Sequence, residues 1–340
     1  MDATRIADNK PVYIKRVPTN GDELKIALMF NAEPLRHDPR NHCVPILDHF
    51  QDPDDSMTSY MVMPFLRPLN DPVFKLVDDI ISFVDQILEA GVSSAHSNFT
   101  NYDSQGLVFL HEHGVAHRYA TMYSSRTLLT TTCRDCAAHN ILMDASALYP
   151  RGHHPVNLGS LPDVSDFAPH FLREEVAVKY YYVDFGLSSH IPPDSPDKLV
   201  VGEFGREQDV PELSNDVPYD PFKVDVFIIG SVFKKSFEEV RVIRSRTPPR
   251  LILVSQIYTN VGFLRQLIKP MTDEKPAARP SAVQALEKWR KIRSGISPLH
   301  RSWRLRLHYE DWIVAIIKDI DSSLHFLPWL SRRMKARFRK

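Results

Sequence analysis

"HGVAHRYATMYSSRTLLTTTCRDCAAHNILMD", residues 113–144, is where the chain discloses its organisation. Its front end, His117-Arg118, and its back end, Arg134-Asp135, read as two halves of one segment. Fifteen residues, Tyr119–Cys133, stand between them. Removal of 119–134 leaves "HGVAHRDCAAHNILMD", which runs on without a break. An arginine is repeated on both sides of the join.

A second interruption lies upstream. Val73, Leu76, Val77, Ile80, Val84, Ile87 and Leu88 follow a helical period, which predicts one long buried helix over 72–90. The chain then enters "GVSSAHSNFTNYDSQ", residues 91–105, which has no periodicity, and "GLVFLHEHG" resumes the apolar helical pattern. The codons for Arg118-Tyr119 and Val92-Ser93 permit splice donors, and those for Cys133-Arg134 and Gln105 permit acceptors. Both interruptions are therefore expected to be translated introns. The rival reading is two genuine surface loops, which loop-closure entropy alone would tolerate, at only about 0.6 kcal/mol per doubling of length.

Elsewhere the texture divides the chain in two. "ATRIADNKPVYIKRV" predicts two short strands around an Ala-Asp-Asn-Lys turn, with Lys15 a cation among Val12, Ile14 and Val17. "GDELKIALMF" has helical spacing, and "CVPILDHF" and "SYMVMPFL" are strand-like around the turn "QDPDDSM". Residues 1–66 are thus expected to form a small strand-rich unit with one helix. Beyond them, "YPRGHHPVNLGSLPDVSDFAPHF" predicts a Pro-rich surface loop. "YYYVDFG" predicts a strand, "DVFIIGSVFKKSFEEV" a buried helix, and "SAVQALEKWRKI" an amphipathic helix starting at a Pro-Ser cap.

Composition narrows the function classes. Lys+Arg and Asp+Glu balance at 42 each, so no global field argues for a nucleic-acid partner. Cys133 and Cys136 form a CxxC, but with only Cys43 left over the three cysteines cannot make a four-thiolate zinc site. Reduced thiols and a cytoplasmic or nuclear setting are expected. The first residues carry no apolar signal-peptide core.

These motifs together resemble a eukaryotic protein kinase, and most closely the kinase-like proteins of mushroom-forming fungi, over roughly residues 1–293. The resemblance implies an α+β, two-lobed protein kinase fold: a truncated strand-rich small lobe over 1–66, a mainly helical large lobe over 67–293 interrupted at about 91–105 and 119–134, and a C-terminal tail over 294–340. "VYIKRV" is similar to the third-strand lysine motif, so Lys15 would pair the α/β-phosphates of ATP. "ELKIAL" makes Glu23 its ion-pair partner, with Glu33 as the fallback. "VMPFL" would be the hinge, with Met63 as gatekeeper and Leu66 at the nucleotide. "HRDCAAHN", joined across the interruption, supplies Arg134, the base Asp135 and the metal ligand Asn140. "DFG" supplies Asp184 for Mg2+. "VPE" and "AARPS" would pair Glu212 with Arg279, and "DVFIIG" gives Asp225 and Gly230 of a central helix.

Two departures accompany the match. Only fourteen residues precede Lys15, and they contain no glycine, so the glycine-rich phosphate loop of the family has no counterpart; a lost upstream exon is the expectation. "DCAAHN" has alanine two residues after Asp135, where Ser/Thr kinases usually carry lysine, so the acceptor residue stays open. The implied function is ATP- and Mg2+-dependent phosphorylation of a protein hydroxyl on an unidentified substrate. The alternative is a pseudokinase that binds or scaffolds without turnover.

The tail reads separately. "DWIVAIIKDIDSSLHFLPWL" is apolar but carries Lys318, Asp319 and Asp321, a poor spanning helix, and "SRRMKARFRK" adds six basic residues in ten. Such a segment predicts either peripheral contact with an anionic membrane or a helix packed on the large lobe with a solvated basic end.

Overall fold

The apolar spacing of residues 12–17 is answered by a nine-residue strand. In the computed structural model, β1 (Asp2–Arg5) and β2 (Lys10–Pro18) form a hairpin through Ile6–Asn9, and the residues described are 1–88, 106–118, 140–192, 194–203, 209–238, 258–308, 310–320 and 322, with the backbone of 240–244 and 251–255. With β3 (Asp48–Gln51) and β4 (Thr58–Pro64) the hairpin builds a four-stranded antiparallel sheet of order β1-β2-β4-β3. The helix α1 (Asp22–Asn31) lays Leu24 and Ala27 on this sheet, where they pack with Val17, Val44, Met61 and Met63. Only the end of the strand-like run 43–50 joins the sheet. Its start is drawn away by another strand: Val44 N–H donates to Tyr182 O at 3.0 Å, and Tyr182 N–H donates to His42 O at 2.7 Å.

The remainder is mainly helical, with small sheets at its junction to the first part. β5 (Arg67–Pro68), β7 (Ile141–Asp144) and β8 (Lys179–Tyr182) form an antiparallel three-stranded sheet; β6 (Val115–Ala116) pairs with β9 (Ser189–His190). The long helix α2 (Val77–Leu88) starts five residues later than its spacing predicts. Pro72 precedes it, and Asp79 caps it from within by accepting the N–H groups of Lys75 and Leu76 at 2.7 and 3.0 Å. After the interruption comes α3 (Gly106–Glu112). The buried helix α4 (Pro221–Phe237) begins earlier than expected, with Asp220 as N-cap and Pro221 in the first turn, where its missing N–H costs nothing.

That helix also ends at Phe237, short of the expected Val240. There β10 (Val240–Arg244) pairs antiparallel with β11 (Leu251–Ser255), an element the sequence reading missed. The β-branched run Val240, Val242, Ile243 favours a strand over a further helical turn. α5 (Arg265–Met271) and α6 (Ala282–Ser294) complete the helical core, α6 starting with a reciprocal capping box between Ser281 and Gln284. Phe83 of α2 meets Phe233 and Phe237 of α4 edge-on at 6.0 and 5.9 Å between ring centres, each ring fully buried. Burying each such ring stabilises the fold by roughly 1.5–3 kcal/mol. Trp289 of α6 donates its indole N–H to Asp85 of α2 at 2.7 Å, so the polar atoms at the centre are matched. The molecule is of the α+β kind: small antiparallel sheets beside a helical body.

Candidate functional site

Side chains alternate across a strand, so Lys15 shares a face of β2 with Val17, which is buried. That is the face covered by α1, not the outer face where a lone lysine would reach into solvent. The Lys15 ammonium forms an ion pair with Glu23 in the first turn of α1, and lies 2.7 Å from Asp184 Oδ1. Glu23 also accepts the backbone N–H of Phe185. Glu33, the fallback partner, instead pairs with His37 at the surface. One ammonium thus holds two carboxylates from distant parts of the chain.

The electrostatics follow from partial burial. Desolvation works against the Lys15 charge, but the Glu23 and Asp184 carboxylates outweigh it and raise its pKa. Glu23 is the more buried acid. Desolvation raises its pKa, the Lys15 charge offsets this only in part, and the Asp184 charge adds to the rise. Asp184 has φ +64°, in the left-handed region, which turns the chain sharply after β8.

Asn140 stands beside this group. Its carbonyl accepts Val183 N–H at 3.0 Å, so it faces the residue immediately before Asp184 across the β7–β8 pair. The two are hard oxygen donors, and an amide plus a carboxylate is what Mg2+ accepts when phosphate oxygens and water complete its shell. Gly186 leaves room for Asp184 and Glu23: a Cβ there would stand 3.2 Å from Asp184 Oδ1 and 3.3 Å from Glu23 Oε2. In donor type Asn140 and Asp184 suit a magnesium ion bound together with a polyphosphate. Among the described residues no group of three or more His, Cys, Asp or Glu side chains is placed to hold a metal without such help. Met63 is buried in β4 opposite Tyr13 of β2, and Leu66 and Val183 pack on the same apolar cluster. This cluster is the apolar wall next to the charged group.

A second centre holds the segment leading into the interruption. The Asp225 carboxylate, on α4 and fully buried, accepts the N–H groups of His117 at 2.7 Å and of Arg118 at 2.6 Å. His111 Nε2 donates to it at 2.9 Å. Arg118, at φ +56°, is further fixed by its guanidinium, which donates to Tyr219 Oη at 2.6 Å. The His117 ring donates through Nε2 to Val183 O at 3.0 Å and lies 4.8 Å from the Phe185 ring. Burial holds its pKa below the ordinary imidazole value, against the Asp225 and Asp184 charges that would raise it. Asp225 therefore fixes His117, and His117 fixes the chain on either side of Asp184. Two of these parts were not foreseen. Arg118 had a signal in the repeated arginine; His111, one histidine on an apolar helix, had none.

Glu212 and Arg279 meet as expected, with Nη2–Oε2 at 2.8 Å. Arg279 is buried, stacks on Phe227 at 4.6 Å and donates to the carbonyls of Asp273 and Lys223. Arg134 and Asp135 lie outside the described residues, as do both interruptions and Cys133 and Cys136. The structure thus brings together Lys15, Glu23, Asp184 and the Asn140 backbone, with Met63 and Leu66 adjoining. No protein-family model matches the chain, and no curated protein matches it.

Proposed function

We propose that the protein is a protein kinase, transferring the γ-phosphate of ATP to a protein hydroxyl, with a two-lobed fold whose small lobe is 1–66 and whose large lobe is 67–293. The observation that carries the proposal is the convergence of Lys15, Glu23 and Asp184, which lie up to 169 residues apart in sequence. Phosphoryl transfer needs alignment and charge stabilisation more than covalent help, and a lysine held between carboxylates is suited to that task. Lys15 orients the α/β-phosphates, and Glu23 keeps Lys15 in place. Met63 and Leu66 form the apolar surface for the adenine. Asp184 and Asn140 would hold magnesium, which would supply charge neutralisation at the phosphate oxygens. Asp135 accepts the proton of the acceptor hydroxyl. Glu212 and Arg279 anchor the segment 184–212, which presents the protein substrate.

The test separates binding from chemistry. MgATP at about a hundred times its Kd should stabilise the protein by about 2.7 kcal/mol. Lys15→Met and Asp184→Asn should abolish that stabilisation while the unliganded proteins still melt cooperatively. Where turnover is measurable, each should lower it roughly 10²–10³-fold. Wild-type stabilisation by MgATP that survives both substitutions would remove the proposed site. MgATP binding without any turnover would make the protein a nucleotide-binding scaffold instead.

A further inference from the structure

Residues 312–320 form a helix turned inside out. At about 100° per residue, Trp312, Ile313, Ile316, Ile317 and Ile320 fall on one arc about 140° wide. An amphipathic helix on a globular body normally buries such an arc. Here it faces solvent: Trp312 is 70% exposed, Ile317 61% and Ile320 58%. The polar side is the one attached to the body. Asp319 pairs with Arg304 at 2.6 Å and also with Arg306, Arg304 Nη2 donates to Ala315 O at 2.9 Å, and Lys318 pairs with Glu310 at 2.8 Å. Glu310 in turn meets Arg304 at 2.7 Å. The charges of this face are thus spent within the protein, and the aromatic and isoleucine face is held outward by them.

We propose that this face docks on an anionic membrane surface, with the chain's basic end as its electrostatic partner. The occupant is argued from charge. The last ten residues, 331–340, carry six Lys or Arg and no acid and follow the helix after the ten residues 321–330, whereas the whole chain is balanced at 42 against 42. An apolar helical face and a basic segment in the same stretch of sequence supply the two signals that stable peripheral binding needs. Each basic residue near an anionic leaflet contributes enough to change the partition by roughly fivefold. No described helix is long and apolar enough to cross a membrane, so the attachment is lateral, with Trp312 at headgroup depth. The inference stands apart from the phosphotransfer reading, since none of these residues touches the Lys15 group.

Flotation of the full chain with vesicles decides it. Binding is expected to vesicles of phosphatidylcholine with phosphatidylserine, not to phosphatidylcholine alone, and to fall as salt rises. Brominated lipid should quench an emission that Trp312→Phe removes. The pair Ile313→Asp/Ile317→Asp, at exposed positions, should lower the partition at least roughly tenfold with an unchanged melting temperature. Neutralising Arg332, Arg333 and Lys335 to Gln should lower it about a hundredfold. Equal binding to both vesicle types, or binding that survives the two isoleucine substitutions, overturns the proposal. So does a failure to bind, whether the chain is then a dimer by light scattering that the isoleucine pair dissolves, or a monomer whose Trp312 emission shows it already covered.

Discussion

A buried ionisable group stabilises a fold when it is charged and paired or when it stays neutral, and two residues here test that from opposite directions. Arg279 is buried and its partner Glu212 is largely so, and removing one partner of such a pair leaves the other charged and unpaired, at up to about 3–5 kcal/mol. Arg279→Ala is expected to lose that much in urea unfolding, with Arg279→Lys intermediate because lysine keeps the charge but not the fork. His42 runs the other way. It is buried, donates Nδ1–H to Tyr180 O at 2.6 Å, and its pKa falls to about 3, chiefly from desolvation and then from the nearby Lys179 charge. The unfolded chain binds a proton near pH 6.5 while the folded chain refuses it. Stability from this residue is therefore full above pH 6.5, falls steadily as the pH drops from there to about 3, and levels off below. The span amounts to at most on the order of 4–5 kcal/mol. A melting series over that range should show the slope, and His42→Gln should flatten it. An unchanged slope in the variant would assign the acid sensitivity to other groups.

At the scale of elements, the sequence was most legible where the pattern is local. Lys15 and Glu23 lie eight residues apart, one on a strand and one opening the next helix, so their meeting follows from two short elements folding against each other. The cap of α6 was readable for the same reason. What was not readable depends on distance or competition. Nothing in "DVFIIG" says that Asp225 will collect the N–H groups of residues 117 and 118, over a hundred positions away. Helical spacing ran on through Val240, where pairing with β11 instead takes the chain into a hairpin. The start of α2 was misplaced because the apolar period begins before the backbone can turn. Its end is more informative. Gly106, opening α3, lies so close to α2 that a Cβ there would stand 2.8 Å from Gln86 O and 3.0 Å from Ile87 O, the carbonyls of the last turn. The two helices abut end to end, and 89–105 join them from outside the described residues. Deleting 91–105, which joins Ala90 to Gly106, should keep a cooperative fold and add roughly 1–2 kcal/mol by shortening the closed loop. A loss of cooperativity in denaturant would mean that the segment belongs to the fold.

Across the whole molecule, alignment is the quantity at stake. Well-oriented geometry can be worth roughly 7–11 kcal/mol of a barrier. One side of the proposed centre is held firmly: Asp225 fixes His117 and Arg118, His117 reaches the carbonyl before Asp184, and Asp184 reaches Lys15. The other side begins at Asn140, held against Val183. Between these two anchored ends the chain carries 119–139, with Asp135 in it, where an uninterrupted segment would need only "HRDCAAHN". The anchors constrain Asp135 less as the connection lengthens, and the base must lie within hydrogen-bond reach of the acceptor hydroxyl. The chain as given is therefore expected to be weak or inactive in Mg2+-dependent ATP turnover, and the chain lacking 91–105 and 119–134 to be more active, since the deletion returns Arg118 and Asp135 to neighbouring positions. Asp135→Asn in that shortened chain should abolish the gain. Full activity in the chain as given would refute the view that the interruptions are foreign to the catalytic segment. Activity in the shortened chain that survives loss of Asp135 would leave that view standing and refute Asp135 as the base.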